Sequence, residues 1–364
     1  MLREHGGAAG DPAAPSRQPV LPSGGGEPAS GGHQDLISRR RTKMEQGAEP
    51  LVDVHAHFLT PWYVEAAVAG GRHRPDGMPS WPSWSPEEHL RLMDAHGIEQ
   101  SILSVSSPGV WFGDRAASVA LCRRLNDYAA ELVATRPDRF RFFASVPLPA
   151  VDEAVAEAAR ALDELGAAGT VAMTNAGGTY LSDPLVAPYL DELDRRGAVL
   201  FVHPTSPPGW ESTALGFPRP MVEFFADTTR VLSALLVSGE AARRTGLRII
   251  VPHCGASLPL LADRLRLFAS LASSARESEA IDEGLGRLWF DLAGTPLPVH
   301  AEALIAQVGT ERLLYGSDYC WTPPRLVAAQ VAALDTGWRA GVHGPWRDLT
   351  STNAAALLAA PVTR

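Results

Sequence analysis

The sequence predicts a (β/α)8 barrel, because eight short apolar runs alternate with helical patterns between residues 49 and 364. The runs are rich in β-branched residues and too continuous for half-exposed strands, so they suit parallel strands that helices cover. Eight strand–helix units in about 310 residues favour closure into a barrel. A doubly wound open sheet is the alternative, but no GxGxxG motif follows the first run, which weakens a dinucleotide-binding version of that fold.

The predicted elements can be placed by their periodicity. Helical patterns, with apolar residues on one face, are clearest at 86–97, 151–166, 184–197 and 300–309. The predicted strands are, in chain order, LVDVH (51–55), SILSVSS (101–107), FRFFASVPL (140–148), AGTVAMT (168–174), AVLFVHP (198–204), RIIVPHC (248–254), LWFDLAG (288–294) and RLLYGSDY (312–319).

Residues 1–48 differ in composition from the rest of the chain. They contain nine glycines and five prolines, few bulky apolar residues and the basic cluster RRRTK. Such a segment buries too little apolar surface to offset its ordering entropy, so we predict a disordered tail at 1–48 and one barrel domain at 49–364. The basic cluster is expected to be solvated, and a targeting element is the alternative. Met44 is an alternative translation start that the sequence leaves open.

The composition of the chain also limits its partners. The net charge of −9 at pH 7 and the lack of a basic stripe argue against nucleic acid as a partner, and no apolar run approaches the roughly 18 residues of a membrane span. Cys122, Cys254 and Cys320 lack paired spacing, which indicates a reducing compartment and makes the cytoplasm the expected location. Lys43 is the only lysine, so Schiff-base chemistry and a lysine carbamate are excluded from the predicted barrel.

Five metal-binding or acid/base side chains lie at the ends of predicted strands. His55 and His57 end the first strand and, being two residues apart, project to the same face. His203 ends the fifth strand, His253 the sixth and Asp318 the eighth. Active sites of such barrels lie at the C-terminal ends of the strands. One histidine there could be structural, but four histidines and an aspartate on four strands indicate a metal site.

This arrangement resembles the amidohydrolase superfamily, whose barrel carries an HxH pair on strand 1, histidines on strands 5 and 6 and an aspartate on strand 8. The resemblance covers residues 50–360, approximately, and implies a metal-dependent hydrolase type of (β/α)8 barrel. In two-metal members a carbamylated lysine or a glutamate ends strand 4, whereas VAMTNAGG here has neither. We therefore expect one divalent ion on His55, His57, His203 and Asp318, with zinc as the expected metal and manganese as the alternative.

Further motifs narrow the resemblance. DVHAHF, SSPGVWFGDRAA, LNDYAAELVATRPDRFRFFASVPL, HPTSP, PHCGASLP and LYGSDY are similar to the aminocarboxymuconate-semialdehyde decarboxylase family. GMPSWPSWSPEEHL and GFPRPMVEFFADTTR are most similar to its 6-methylsalicylate decarboxylase branch. Thr205 and Ser206 replace the tryptophan that follows His-Pro in the muconate-semialdehyde enzyme, and His55 replaces a glutamate of the resorcylate-type enzymes.

The resemblance implies a non-oxidative decarboxylase of a salicylate-type aromatic acid, releasing CO2 and a phenol. Asp318 would then be a ligand and the proton donor to the ring carbon, and His253 would hold substrate or water and shuttle the proton. Arg264 would reach the active site of a neighbouring subunit in a homodimer and bind a substrate carboxylate. A surface ion pair of Arg264 with Asp263 is the alternative.

Three more residues are candidates for substrate contact. Arg219, in the motif FPRP, could bind an anion, while Trp111 and Phe112 could wall an aromatic pocket or serve only in packing.

Two other functions remain open at this stage. A single-metal hydrolase of a lactone or an amide could use the same ligands, with Asp318 as general base toward water. A non-catalytic binding protein on this fold is the third possibility, although a complete ligand set argues against it.

Overall fold

Eight parallel strands form a closed barrel in the computed structural model, which describes residues 51–272 and 275–359. The strands pair in sequence order, and two parallel bridges, Asp53 with Tyr315 and Ala56 with Tyr319, join the last strand to the first. The predicted (β/α)8 barrel is thereby confirmed. The strands are β1 (Val52–His57), β2 (Gln100–Ser104), β3 (Phe140–Ser145), β4 (Gly169–Met173), β5 (Val199–His203), β6 (Arg248–Val251), β7 (Trp289–Asp291) and β8 (Leu313–Leu314).

The predicted tail at 1–48, with Met44, lies outside the described residues. Across the described helices, none combines the length and apolar character that a bilayer span would need. The helices are α1 (Pro61–Ala69), α2 (Pro86–His96), α3 (Arg115–Thr135), α4 (Val151–Asp163), α5 (Ala187–Arg196), α6 (Glu223–Val237), α7 (Glu240–Arg243), α8 (Leu258–Ala272), α9 (Ala275–Leu285), α10 (His300–Val308), α11 (Pro324–Gly337), α12 (Ala340–His343) and α13 (Trp346–Ala359).

Helix boundaries follow local capping chemistry. The Ser85 side chain accepts a hydrogen bond from the backbone N–H of Glu88 at the start of α2, and Gly97 ends that helix in the left-handed conformation. The pattern predicted at 184–197 splits, because Pro184–Val186 form a 3-10 turn before α5 begins. A short antiparallel hairpin of Asn175–Ala176 and Thr179–Tyr180 follows β4 and was not predicted from the sequence.

The interior of the barrel supports the functional end. A buried apolar cluster joins side chains of strands that are not neighbours, such as Phe143 of β3 and Phe201 of β5, whose ring centroids are 5.7 Å apart. The ring of Phe201 also lies 4.8 Å from that of His55. The packed interior of the barrel therefore contacts His55, the first histidine of the HxH pair, and supports its position.

Candidate metal centre

Four predicted ligands converge at the C-terminal end of the barrel. His55 and His57 come from β1, His203 ends β5 and Asp318 follows β8, and one donor atom from each lies within 4.8 Å of all the others. The Nε2 atoms of His55 and His57 are 3.4 and 3.2 Å from Oδ1 of Asp318. The three histidines are buried, while Asp318 is 20% exposed and borders a cavity.

Each ligand histidine is oriented through its other ring nitrogen. The Nδ1 atom of His55 lies 2.8 Å from Oδ2 of Asp291, and that of His57 lies 3.1 Å from Oγ of Ser104. The Nδ1 atom of His203 lies 2.7 Å from the carbonyl oxygen of the next residue. The Nε2 atoms of His55 and His57 are buried without a hydrogen-bond partner. Buried nitrogens of this kind need a partner, and a divalent metal coordinated by three imidazoles and a carboxylate satisfies them.

Asp318 is held in place through the backbone. Its φ is +55°, a left-handed conformation that aspartate tolerates better than most residues, and its N–H donates to the carbonyl of His55. The preceding Ser317 donates through Oγ and N–H to the buried Asp53, at 2.6 and 3.0 Å. Burial raises the pKa of Asp53 to about 7, against the lowering effect of these hydrogen bonds. Asp53 thus ties the Asp318 loop to β1.

The electrostatics suit a cation. Burial lowers the pKa values of His57 and His203, which leaves both imidazoles neutral with a free lone pair. Burial also lowers the pKa of His55, but the charges of Asp291 and Asp318 outweigh it and raise the value to about 10. Burial raises the pKa of Asp318, yet the His55 charge and the nearby side chains of His253 and His57 hold it well below its usual range. The centre therefore presents a charged carboxylate beside two neutral imidazoles, and a bound cation must displace the proton of His55.

His253 lies beside this centre rather than within the four-ligand set. Its Nε2 is 3.6 Å from Oδ2 of Asp318, and its backbone N–H donates to Oδ1 of Asp291 at 2.8 Å. The ring of Phe225 stacks on the imidazole, with centroids 5.9 Å apart. Asp291 therefore holds both His55 and His253, a role that the sequence analysis missed. An aspartate inside the apolar run LWFDLAG was the available signal, because a buried charge requires partners.

A largely apolar cavity of about 280 Å³ opens onto the centre. This volume is near the lower limit of about 300 Å³ that is usual for small-molecule sites, so it suits a single-ring ligand. Its lining combines metal-centre residues with aromatic and other apolar side chains: Asp76, Met78, Ser106, Ser107, His203, Pro220, Phe224, Phe225, His253, Gly294, Thr295, Asp318, Trp321 and Thr322.

The predicted substrate contacts are not in this cavity. Trp111 and Arg219 line a neighbouring cleft of about 270 Å³, and the Arg219 guanidinium lies 3.8 Å from the centre of the Trp210 ring. Phe112 packs against the core beside Gly70 and is absent from the lining of both spaces.

Arg264 lies on α8, with its guanidinium 4.7 Å from the centre of the Phe268 ring. Asp263, the alternative partner considered from the sequence, instead pairs with Arg266 at 2.7 Å. Within residues 51–272 and 275–359, Arg264 makes no ion pair. The end of β4 likewise carries no acidic bridge, since Thr174 follows Met173 there and donates its hydroxyl to Asp227.

The chain belongs to the amidohydrolase family, whose model matches residues 52–358. The expected resemblance to the decarboxylases of that family is confirmed. A 6-methylsalicylic acid decarboxylase, acuB of Aspergillus aculeatus, is 35% identical over 309 residues, which cover 79% of this chain and 91% of that protein. A crystal structure described as an amidohydrolase II is 32% identical, with a TM-score of 0.79, and covers 85% of this chain and 100% of its own.

A more distant structure supports the fold alone. It is a dihydroxybenzoic acid decarboxylase from a Polaromonas species with bound manganese and 2-nitroresorcinol, 21% identical, with a TM-score of 0.72 and coverage of 85% of this chain and 97% of that one.

Proposed function

We propose that the protein is a metal-dependent, non-oxidative decarboxylase of a salicylate-type aromatic acid, similar to 6-methylsalicylate, which yields CO2 and a phenol. One observation carries the proposal: a centre of three histidines and Asp318 borders an apolar cavity of single-ring size. The similarity to a 6-methylsalicylic acid decarboxylase over 79% of the chain supports the same reaction. The enzyme is therefore a carboxy-lyase.

His55, His57, His203 and Asp318 would hold one divalent ion, because β4 supplies no bridging group for a second. Zinc suits the nitrogen-rich donor set, and manganese is the alternative. When bound, the ion supplies a fixed positive charge that can orient the carboxylate and the ortho oxygen of a salicylate and stabilise their negative charge.

Decarboxylation of an aryl acid must avoid a free aryl carbanion. Protonation of the ring carbon that bears the carboxylate solves this problem, because the electrons of the breaking C–C bond then restore the aromatic ring as CO2 leaves. An ortho hydroxyl makes that carbon basic enough to accept the proton. One proton and one carboxylate thus yield one phenol and one CO2.

Asp318 would transfer that proton, with His253 as its partner. The pKa of Asp318 is held low, so it rests as a carboxylate and must receive the proton after substrate enters. The Nε2 of His253, 3.6 Å from Oδ2 of Asp318, is placed to deliver it or to hold the substrate. Stacking on Phe225 fixes the imidazole plane. The exposed surface of the cavity is mainly apolar, which limits the contacts that water can make beside the protonated ring.

A homodimer that uses α8 forms part of the proposal. Leu260, Leu267, Phe268 and Leu271 recur at helical spacing on one face of α8, and all are more than half exposed. A stripe of this kind marks an interaction surface. Arg264 lies on the same face, free of any described acidic partner, so it could reach a substrate carboxylate in the neighbouring subunit.

A reducing compartment, the cytoplasm, is also proposed. The three cysteines Cys122, Cys254 and Cys320 are buried free thiols, as expected of a chain that forms no disulfides.

The deciding experiment measures CO2 and phenol release from metal-loaded protein under anaerobic conditions. Salicylate and 6-methylsalicylate should react, whereas 3- and 4-hydroxybenzoate, which lack an ortho hydroxyl, should not. Cleavage of a lactone or an amide without CO2 release from any salicylate would show that the protein is a hydrolase instead. Metal analysis accompanies the assay, since well over one ion per chain contradicts the single-ion centre.

A further inference from the structure

Asp76 is a buried carboxylate that the proposed mechanism does not use. It lies in the 3-10 turn Pro75–Gly77, is 6% exposed and has a φ of +50°. Non-glycine residues with positive φ store strain and occur preferentially at functional sites. Asp76 lines both the metal cavity and the neighbouring cleft, so it forms part of the wall between them.

Hydroxyl groups hold this carboxylate in the wall. Oδ2 of Asp76 accepts a hydrogen bond from Oγ of Ser107 at 2.7 Å, and Oδ1 accepts one from Oγ of Ser206. The preceding Ser106 places its Oγ 3.3 Å from Nε2 of His203, so the same loop borders the metal centre. Each carboxylate oxygen has two acceptor sites, so each oxygen of Asp76 keeps one site that can accept a hydrogen bond from a ligand.

The charges around the cavity are unbalanced on the Asp76 side. Among the described residues that line it, Asp76 and Asp318 are the acids and no arginine or lysine is present. Arg219 is not part of this cavity's lining. It lies in the neighbouring cleft, where its Nε donates to Oγ of Ser206 and its charge acts on Asp76 from that cleft. The positive charge of the metal ion would compensate a substrate carboxylate at the metal centre. A second substrate carboxylate facing Asp76 would be repelled by it, and no basic side chain lining the cavity would compensate its charge.

We propose that Asp76 determines the substrate class by its charge. It excludes aromatic acids that carry a second carboxylate on the ring edge facing it, and it accepts a hydrogen bond from a hydroxyl group at that edge. The inference rests on the proposed function, because it takes the metal centre as the place where the first carboxylate binds. The expected substrate is therefore a monocarboxylic acid whose ring edge facing Asp76 carries a neutral group or a hydrogen-bond donor.

The test compares a hydroxyl group with a carboxylate at each free position of salicylate. The ligands are 2,3-, 2,4-, 2,5- and 2,6-dihydroxybenzoate and the four hydroxybenzenedicarboxylates with a carboxylate in place of the second hydroxyl. Dissociation constants are measured by calorimetry on metal-loaded protein. In Asp76→Asn, the preference for hydroxyl over carboxylate should fall by roughly tenfold or more at one ring position.

Two controls separate charge from structure. Asp138→Asn makes the same charge change in an exposed loop before β3, and it should leave every preference unchanged. Ser107→Ala removes a hydrogen bond to Asp76 but keeps its charge, so the preference should persist. Asp76→Gly also removes the charge and suits the positive φ, which provides a second variant in case Asp76→Asn unfolds.

The proposal is overturned if no preference changes in either Asp76 variant, or if Ser107→Ala loses the preference as fully as they do. The binding measurement is independent of turnover. Protein that releases no CO2 but shows the Asp76-dependent preference would contradict the decarboxylase and leave the charge selection intact.

Discussion

Nδ1 of His55 lies 2.8 Å from Oδ2 of Asp291, so a fully buried contact joins the first and seventh strands of the barrel behind the metal centre. The other oxygen of Asp291 accepts the backbone N–H of His253. One carboxylate therefore fixes the tautomer of a ligand and the position of the adjacent acid/base. This double role makes Asp291 the most informative position outside the ligand set.

Replacement of Asp291 by asparagine should weaken metal binding by about 10- to 100-fold at about pH 10, where protons compete least for His55, because His55 loses the partner that orients it. Turnover at saturating metal should also fall, since His253 shifts with the same side chain. Metal titration and steady-state kinetics measure the two effects. Asp263→Asn, on exposed α8, is a control for the charge change in metal titration, and equal loss there would contradict the assignment.

Metal affinity should rise with pH. The charges of Asp291 and Asp318 raise the pKa of His55 to about 10 against the effect of burial, so below that pH the metal must displace a proton. The apparent affinity should increase by up to about tenfold per pH unit between about pH 6 and pH 9. Competition with a chromophoric chelator measures this slope. Asp291→Asn should flatten it, and a slope that is unchanged in the variant would exclude Asp291 as the cause.

His253→Gln should reduce kcat by about 10²- to 10⁴-fold, because the proton no longer reaches Asp318, while the bound metal remains at one ion per chain. His300→Gln is the matched control. The ring of His300 lies 5.6 Å, between centroids, from the ring of Phe225, which also stacks on His253. Its Nε2 is hydrogen-bonded to the carbonyl oxygen of Ala256. Loss of metal from His253→Gln would instead identify His253 as a ligand.

Mixing His253→Ala chains with Arg264→Ala chains should restore activity if Arg264 acts across a dimer. A random mixture of two-fold dimers would then contain about a quarter of the intact sites of the wild type. Each intact site combines His253 of one chain with Arg264 of the other. His253→Ala mixed with Asp318→Asn is the control, since both changes affect residues of the same chain's site. Hybrid dimers without activity in the first mixture would refute the role across subunits.

Phe201→Ala should destabilise the barrel by about 3–5 kcal/mol, because it empties the interior beneath His55. Urea unfolding of the metal-free protein measures this change in the free energy of unfolding. Phe217→Ala is the comparison, since that ring is 59% exposed. Equal effects of the two substitutions would show that Phe201 does not support the interior.

The barrel and its ligands were predictable because their signals are local. An apolar run followed directly by a histidine or an aspartate shows both a strand and its functional end, so His55, His57, His203 and Asp318 could be placed together from topology alone. Strand ends were less predictable. The run at 312–319 forms a continuous strand only at Leu313–Leu314, and Tyr315 and Tyr319 pair with β1 as isolated bridges, because the chain bends into the loop that carries Asp318 with positive φ.

By itself, the sequence determined the strand order, the ligand set and the resemblance to a decarboxylase family, since all three depend on residue types at fixed spacing. Only the tertiary structure decided which buried acids form hydrogen bonds to the ligand residues and to the loop that carries Asp318. Asp291 meets His55 across 236 positions, and Asp53 meets Ser317 across 264. Asp76 and Ser206 are also remote in the chain, at 130 positions apart. The periodicity of apolar residues in the sequence does not indicate such pairs, because a hydrogen bond between remote segments forms only when the barrel closes.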